Sequence, residues 1–188
     1  MDEKPDRRFY LKHFKAISSA ISTYEDFNTL INHLAEGTSR AFKTKGGSIM
    51  LLDERENHLF HVGSYGLSEE YLRKGPLMVK DKHCASCTGE PVFIEDMQNN
   101  PLVQYPKAAA MEGIVSMLSI PIKCRETIIG ILRIYHGEPW VYHEDDIDSL
   151  CVLMELLGIV IENNGLRNFL DQVKLSLGSL PLRMLEGI

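Results

Sequence analysis

The residues best suited to chemistry cluster in HCASC, His83 to Cys87. A Cys-x-x-Cys pair can be a redox dithiol, half of a zinc site, or part of an iron–sulfur site. Thiols in the first turn of a helix feel its dipole, which favours thiolate, and His83 offers a third ligand. A structural zinc site takes four ligands, however, and the chain has no second Cys-x-x-Cys. A cluster would also need Cys124, which ends a strand pattern, and Cys151, which lies on an apolar helix pattern. Nothing in their spacing brings the two together. The metal candidates are therefore His83, Cys84, Cys87 and Cys124, against the plainer reading that the thiols are packed facing a pocket. The paired acids Glu95 and Asp96 end a strand before an Asn-Asn-Pro turn, where Asp serves local backbone hydrogen bonding. Arg133 and Tyr135 alternate with Leu132 and Ile134 on a strand. His58 and His61 fall on opposite faces of theirs. Met50, Met78, Met97, Met111 and Met117 read as core filler, with Met111 and Met117 flanking the expected pocket. No Walker-type loop, Gly-x-Ser-x-Gly or His-Glu-x-x-His is present, and no Ser–His–Asp arrangement can be defended.

The elements that must position these residues follow from periodicity. Tyr10, Phe14, Ile17 and Ile21 form a narrow seam that predicts a helix over Asp6 to Ser22. Phe27, Leu30, Ile31, Leu34, Thr38 and Ala41 predict a second, from about Glu25 to Lys43, stopped by Gly46 and Gly47. Ser48 to Asp53 and His58 to Tyr65 read as a hairpin. Short pieces follow: a turn with helix over Gly66 to Lys74, a strand over Pro76 to Lys80, and a helix over Lys82 to Thr88 capped by Asp81 and closed by Gly89. Val92 to Glu95 is a short strand. Asn99 to Gly113 is a lid-like loop with one helical turn, and such loops often carry binding. Two apolar strands over Glu112 to Ile122 and Ile128 to Pro139 meet at a polar turn, Lys123 to Thr127. Gly130 inside the second suggests a bulge or a close backbone approach. Glu144, Asp145 and Asp146 open a long helix and complement its dipole. Between Leu150 and Ile161 that helix is apolar almost all round, so it needs cover on every side, from the N-terminal helices or another subunit. Beyond Asn164 a single stripe remains: Leu166, Phe169, Leu170, Val173 and Leu177. Pro181 should stop it.

The chain has 188 residues, 44% hydrophobic and 24% charged, with a net charge of −6. That suits one soluble domain with extensions. The absence of a basic cluster argues against nucleic acid. No uninterrupted apolar run approaches the roughly 20 residues of a membrane span, and the N-terminus lacks a signal-peptide core. Thiols then suggest a reducing cytoplasm.

The ordered segments TGEPVFIEDMQNNP, EGIVSMLSIPI, IIGILRIY and YHEDDIDSL resemble those of a GAF domain, a small sensory module of signalling proteins, from about Tyr24 to Asn164. The resemblance implies an α+β, profilin-like and PAS-related fold. Its central antiparallel sheet has five or six strands, terminal helices on one face, and pocket-forming loops and short helices on the other. It divides the chain into an N-terminal amphipathic helix (1–24), the domain (25–165) and a helical extension (166–188). It implies a cytoplasmic, bacterial-type, non-enzymatic sensor that binds a small molecule over the sheet. Contact candidates are His83, Cys84, Cys87, Asp96, Tyr105, Met111, Met117, Arg133 and Tyr135. It also implies a homodimer through the terminal helices, working with a signalling partner or output domain. The alternative is a redox, iron, zinc or haem sensor on His83, Cys84 and Cys87. One branch of the family reduces free methionine sulfoxide with a cysteine just before the EGIVS-like segment. Here that stretch is PKAAAMEG, and Cys84 or Cys87 matches only a resolving thiol. The Asn-Lys-x-Phe-x-Asp-Glu signature of cyclic-nucleotide binders and the bilin motifs of phytochromes have no match.

Overall fold

The computed structural model describes residues 6–24, 26–79 and 84–178. α1 (Leu11–Thr23) buries Ile17 and Ile21. It starts at Leu11 rather than at the expected Asp6, because the residues before it are claimed by a distant partner. The Arg8 and Phe9 amides donate to the Asp146 carboxylate at 2.8 and 2.9 Å, and Phe9 and Asp146 are buried. No local pattern announces that contact. α2 (Phe27–Phe42) is capped by Asp26, which accepts from the Thr29 amide at 2.7 Å. It ends at Lys43 in the left-handed conformation, φ 53°. Gly46 and Gly47 are thus not its stop; they open β1 (Gly46–Asp53).

β1 pairs with β2 (His58–Tyr65), and Asp53 braces their turn by accepting from the Arg55 and Glu56 amides. α3 (Glu69–Leu72), β3 (Leu77–Met78), α4 (Ala85–Thr88), β4 (Val92–Ile94) and α5 (Pro106–Glu112) are short. The Pro76 to Lys80 strand shrinks to β3. The Lys82 to Thr88 helix becomes the single turn of α4, with Cys84 at its N-cap. The Asp81 cap lies outside the described residues. β5 (Ser116–Cys124) and β6 (Thr127–His136) form the second hairpin. The six strands run β3-β2-β1-β6-β5-β4, every neighbour antiparallel, in an α+β fold. Gly130 marks a close approach: a Cβ there would lie 2.4 Å from the Met50 carbonyl oxygen. The register shifts fall elsewhere, at Ile49/Met50 and Ile122/Lys123.

α1, α2 and α6 (Glu144–Gly178) cover one face of the sheet. Leu30, Ile31 and Leu34 meet Leu118, Ile120, Leu132 and Ile134 there, with Leu153 and Leu157 of α6. α6 lies so close to β5 that a Cβ on Gly158 would sit 1.8 Å from the Lys123 carbonyl oxygen. By length and composition, Glu144–Val173 is long and apolar enough to cross a membrane, although no uninterrupted apolar run is. Its apolarity is divided. Leu150, Leu153, Met154 and Leu157 are buried in the core, whereas Val152, Ile159 and Leu166 are 47%, 50% and 55% exposed. The expected cover on every side is therefore incomplete among the described residues of one chain. β3 and β4 occupy opposite edges of the sheet, and α4, between them in sequence, lies against the second face.

Candidate functional site

That second face carries the pocket. Strand alternation sends Leu132, Ile134 and His136 of β6 to the helices, and Arg133 and Tyr135 to the other side. Ser119 of β5 stands opposite Arg133, Val92 of β4 opposite Ser119, and Ser48 of β1 on the far flank of Arg133. One polar row thus crosses the floor, with Met117 and Ile94 beside it. Tyr71 of α3 and Lys74 just after it, Cys84 and Ala85 at α4, and Leu102 to Tyr105 before α5 complete the walls. The lid segment is pinned. The Gln104 amide donates to the Met78 carbonyl at 2.6 Å and accepts from the Met78 amide at 3.0 Å, and the Tyr105 hydroxyl donates to the Pro76 carbonyl at 2.8 Å. The pocket encloses ≈ 540 Å³ counting its mouth and interstices.

Its electrostatics are one-sided. Lys74 donates to the Tyr71 carbonyl at 3.1 Å and lies 3.8 Å above the Tyr71 ring. Burial, helped by the Arg133 charge, pushes its ammonium down to about 8. His61 is pushed down to about 4 by burial, then by Lys74 and Arg133. The Tyr71 phenol is held well above its ordinary value, mainly by burial. Two polar atoms of the floor, Arg133 Nε and Ser119 Oγ, are buried without a hydrogen-bond partner among the described residues.

The structure brings Cys84, Tyr105, Met117 and Arg133 to the pocket wall. Tyr135 stands one layer behind, fully buried, edge-on to Tyr71 with its hydroxyl 3.3 Å from Ser48 Oγ. Cys87 is exposed, its sulfur 3.0 Å from that of Cys84. Asp96 braces its own turn, accepting from the Asn99 side-chain amide at 2.6 Å and from the Asn99 and Gln98 backbone amides, and these contacts, the side-chain one foremost, hold its carboxyl below the usual range. Met111 points outward at 76% exposure, because α5 turns its Ala109 side to the core. His83 lies outside the described residues. Cys124 is buried and donates to Glu162 at 2.9 Å, a contact that raises its thiol. Among the described residues no three His, Cys, Asp or Glu side chains gather as a metal site. Sequence reasoning missed Tyr71, Lys74 and Ser119. Only the alternation of Ser119 with Leu118 and Ile120 could have placed it.

A sheltered cavity between a six-stranded sheet and its loops defines a small α+β domain equipped to enclose a ligand. A profile of the GAF domain family matches residues 25–162, and the chain belongs to that family. Solved structures agree in fold. The GAF domain of a phosphoenolpyruvate-protein phosphotransferase from Coxiella burnetii has a TM-score of 0.76 at 18% identity, covering 84% of this chain and 95% of that one. Its Acinetobacter counterpart gives 0.69 at 20%, covering 84% and 96%. Free methionine-R-sulfoxide reductase from Neisseria meningitidis, in complex with its substrate, gives 0.66 at 18%, covering 84% and 94%. Among curated proteins no sequence matches the chain significantly.

Proposed function

We propose that this domain is a cytoplasmic, bacterial-type regulatory sensor that binds a small molecule in the pocket and passes the signal on through α6. The observation that carries this is the shared β5. Its Met117 and Ser119 line the pocket, and its Lys123 carbonyl packs against Gly158 of α6 on the opposite face. A ligand that shifts β5 must shift α6. The outward face of α6 supplies the output. Val152, Ile159, Leu166, Leu170 and Val173, with Leu156 half-buried against the core, follow a three–four repeat, with Asn163 at the polar core position that fixes register in parallel dimers. In that register Glu162 of one copy faces Arg167 of the other. Native mass spectrometry of gently purified protein tests the reading: a dimer carrying a non-covalent organic adduct is expected, and a bare monomer at tens of micromolar would sink it.

A second reading, a thiol redox or metal sensor, is favoured by the Cys84–Cys87 contact beside the pocket. Iron or zinc at defined stoichiometry in the same preparation would establish it. Turnover is not part of either reading. Pro106–Glu112 contains no cysteine, so an assay with free methionine sulfoxide should give none.

A further inference from the structure

We propose that the pocket is built for a small organic carboxylate, its charged end on Arg133, Ser119 and Lys74 and its apolar body against Ile94, Met97 and Val103. The proposal rests on the ligand-binding reading above and specifies the ligand's chemistry.

Three observations converge on it. First, Lys74 and Arg133 line one cavity, and among the described residues neither has a carboxylate within ion-pair distance. The nearest acid that Lys74 feels is Glu112, which is engaged by the backbone amide and hydroxyl of Ser68. Second, Ser119 is 3% exposed, lines the cavity, and its hydroxyl has no partner among the described residues. Directly across the strand pair, Arg133 Nε is likewise buried and unpaired. An orphaned buried donor destabilises the fold, more so when it is charged. Two orphans on one row, both in the pocket floor, point to an occupant that supplies acceptors. Water could accept those bonds but would leave two cations uncompensated. A carboxylate does both, since a guanidinium and a carboxylate match as forked donor and acceptor. Third, most of the remaining lining is apolar, with Leu77, Val92, Ile94, Met97, Leu102 and Val103 among it, which suits a hydrocarbon body.

A phosphate dianion fits less well. It would accept from the same two cations, but it has no hydrocarbon body for the apolar part of the lining.

The test is calorimetric titration of the purified protein at low ionic strength with acetate, butanoate, hexanoate and phenylacetate. Butanamide, phenylacetamide and inorganic phosphate serve as controls. Saturable binding of at least one acid, absent for its amide, is expected. Arg133→Met should weaken it about 10- to 100-fold and Ser119→Ala about three- to tenfold. Arg133→Met should also raise the melting temperature without ligand, where a purely structural arginine would lower it. If Arg133→Met fails to fold, Ser119→Ala and Lys74→Met carry the test. Amides that bind as well as acids overturn the anionic end but leave the sensor reading standing. Binding of phosphate alone overturns the carboxylate. No binding by any probe, with an adduct seen in native mass spectrometry, overturns the proposal only. No binding and no adduct overturn both.

Discussion

Lys74 and Arg133 set two positive charges into one partly buried cavity, and the unliganded protein bears the cost. The folded pKa of Lys74, about 8, lies below its ordinary 10.5. Between those values the unfolded chain holds a proton that the folded chain has lost, so stability rises with pH across pH 8 to 10.5. At pH 7 the lysine is charged in both states and the penalty is at its full size. Lys74→Met should therefore stabilise the unliganded protein at pH 7, by about 1 kcal/mol or less given solvent screening. The gain should shrink toward pH 10.5 in thermal melts taken across that range. His61 and His136 act on the acid side. Both are pushed from 6.5 to about 4, in each case mainly by burial. His136 is 2% exposed, stacked on Trp140 at 4.2 Å, with Nε2 2.6 Å from the Tyr142 hydroxyl. As pH falls from 6.5 to 4 the unfolded chain takes up protons that the folded chain refuses, so stability falls. His136→Phe keeps the stack and should reduce the proton uptake on unfolding from about two to about one in that window, read from denaturant midpoints against pH. Arg133, Tyr105, Met117 and Cys84 were visible in the sequence because they sit within or beside strongly patterned strands, helices and loops. Lys74 was not, since it follows a one-turn helix in a polar stretch where any lysine reads as solvated. Ser119 was hidden inside an apolar run.

Elements were legible in proportion to their length. The two hairpins, α2 and α6 each carry enough periods for the pattern to speak, and the turn residues agree with it. The pieces between β2 and β5 do not. β3, α4 and β4 have two to four residues each and exist because they pair with or bridge the sheet, not because of local propensity. α6 is the element on which the others lean hardest. It contacts β5 through Gly158, where a Cβ would meet backbone, the Lys123 carbonyl oxygen at 1.8 Å and the Cys124 nitrogen at 3.2 Å. Backbone cannot swing aside as a side chain can. Alanine has the better helix propensity, by about 1 kcal/mol, yet here the helix would have to lift from the sheet. Gly158→Ala should cost about 3 kcal/mol, seen as a lowered denaturant midpoint. An unchanged or raised midpoint would mean that α6 does not press on β5 at this point. The same substitution at Gly165, which has nothing within 4 Å, should be neutral or stabilising and serves as the control.

At the scale of the molecule, the sequence pattern that required cover on every side of α6 is only half answered by the described residues of one chain. Val152, Ile159, Leu166, Phe169 and Leu170 are 47–63% exposed, on a helix that runs unbroken past the family-matched region to Gly178. A second copy answers the other half if the helices pair in parallel with Asn163 against Asn163. An antiparallel pair would bury each asparagine opposite an apolar residue, without a hydrogen-bonding partner. Parallel pairing also sets Glu162 against Arg167 across the seam, where the reverse order would not. Two consequences separate this arrangement from loose hydrophobic association. Leu166→Glu with Leu170→Glu places like charges across the seam and should give a monomer in sedimentation velocity, with the domain's melting temperature changed little, because neither side chain is in the core. Asn163→Cys should form an intermolecular disulfide rapidly under mild oxidation, which requires the two introduced thiols to lie face to face; Arg167→Cys, off the seam, should cross-link far more slowly. Equal rates at the two positions would mean that α6 pairs without a fixed register, and such a pair has no geometry through which a shift in β5 could be read.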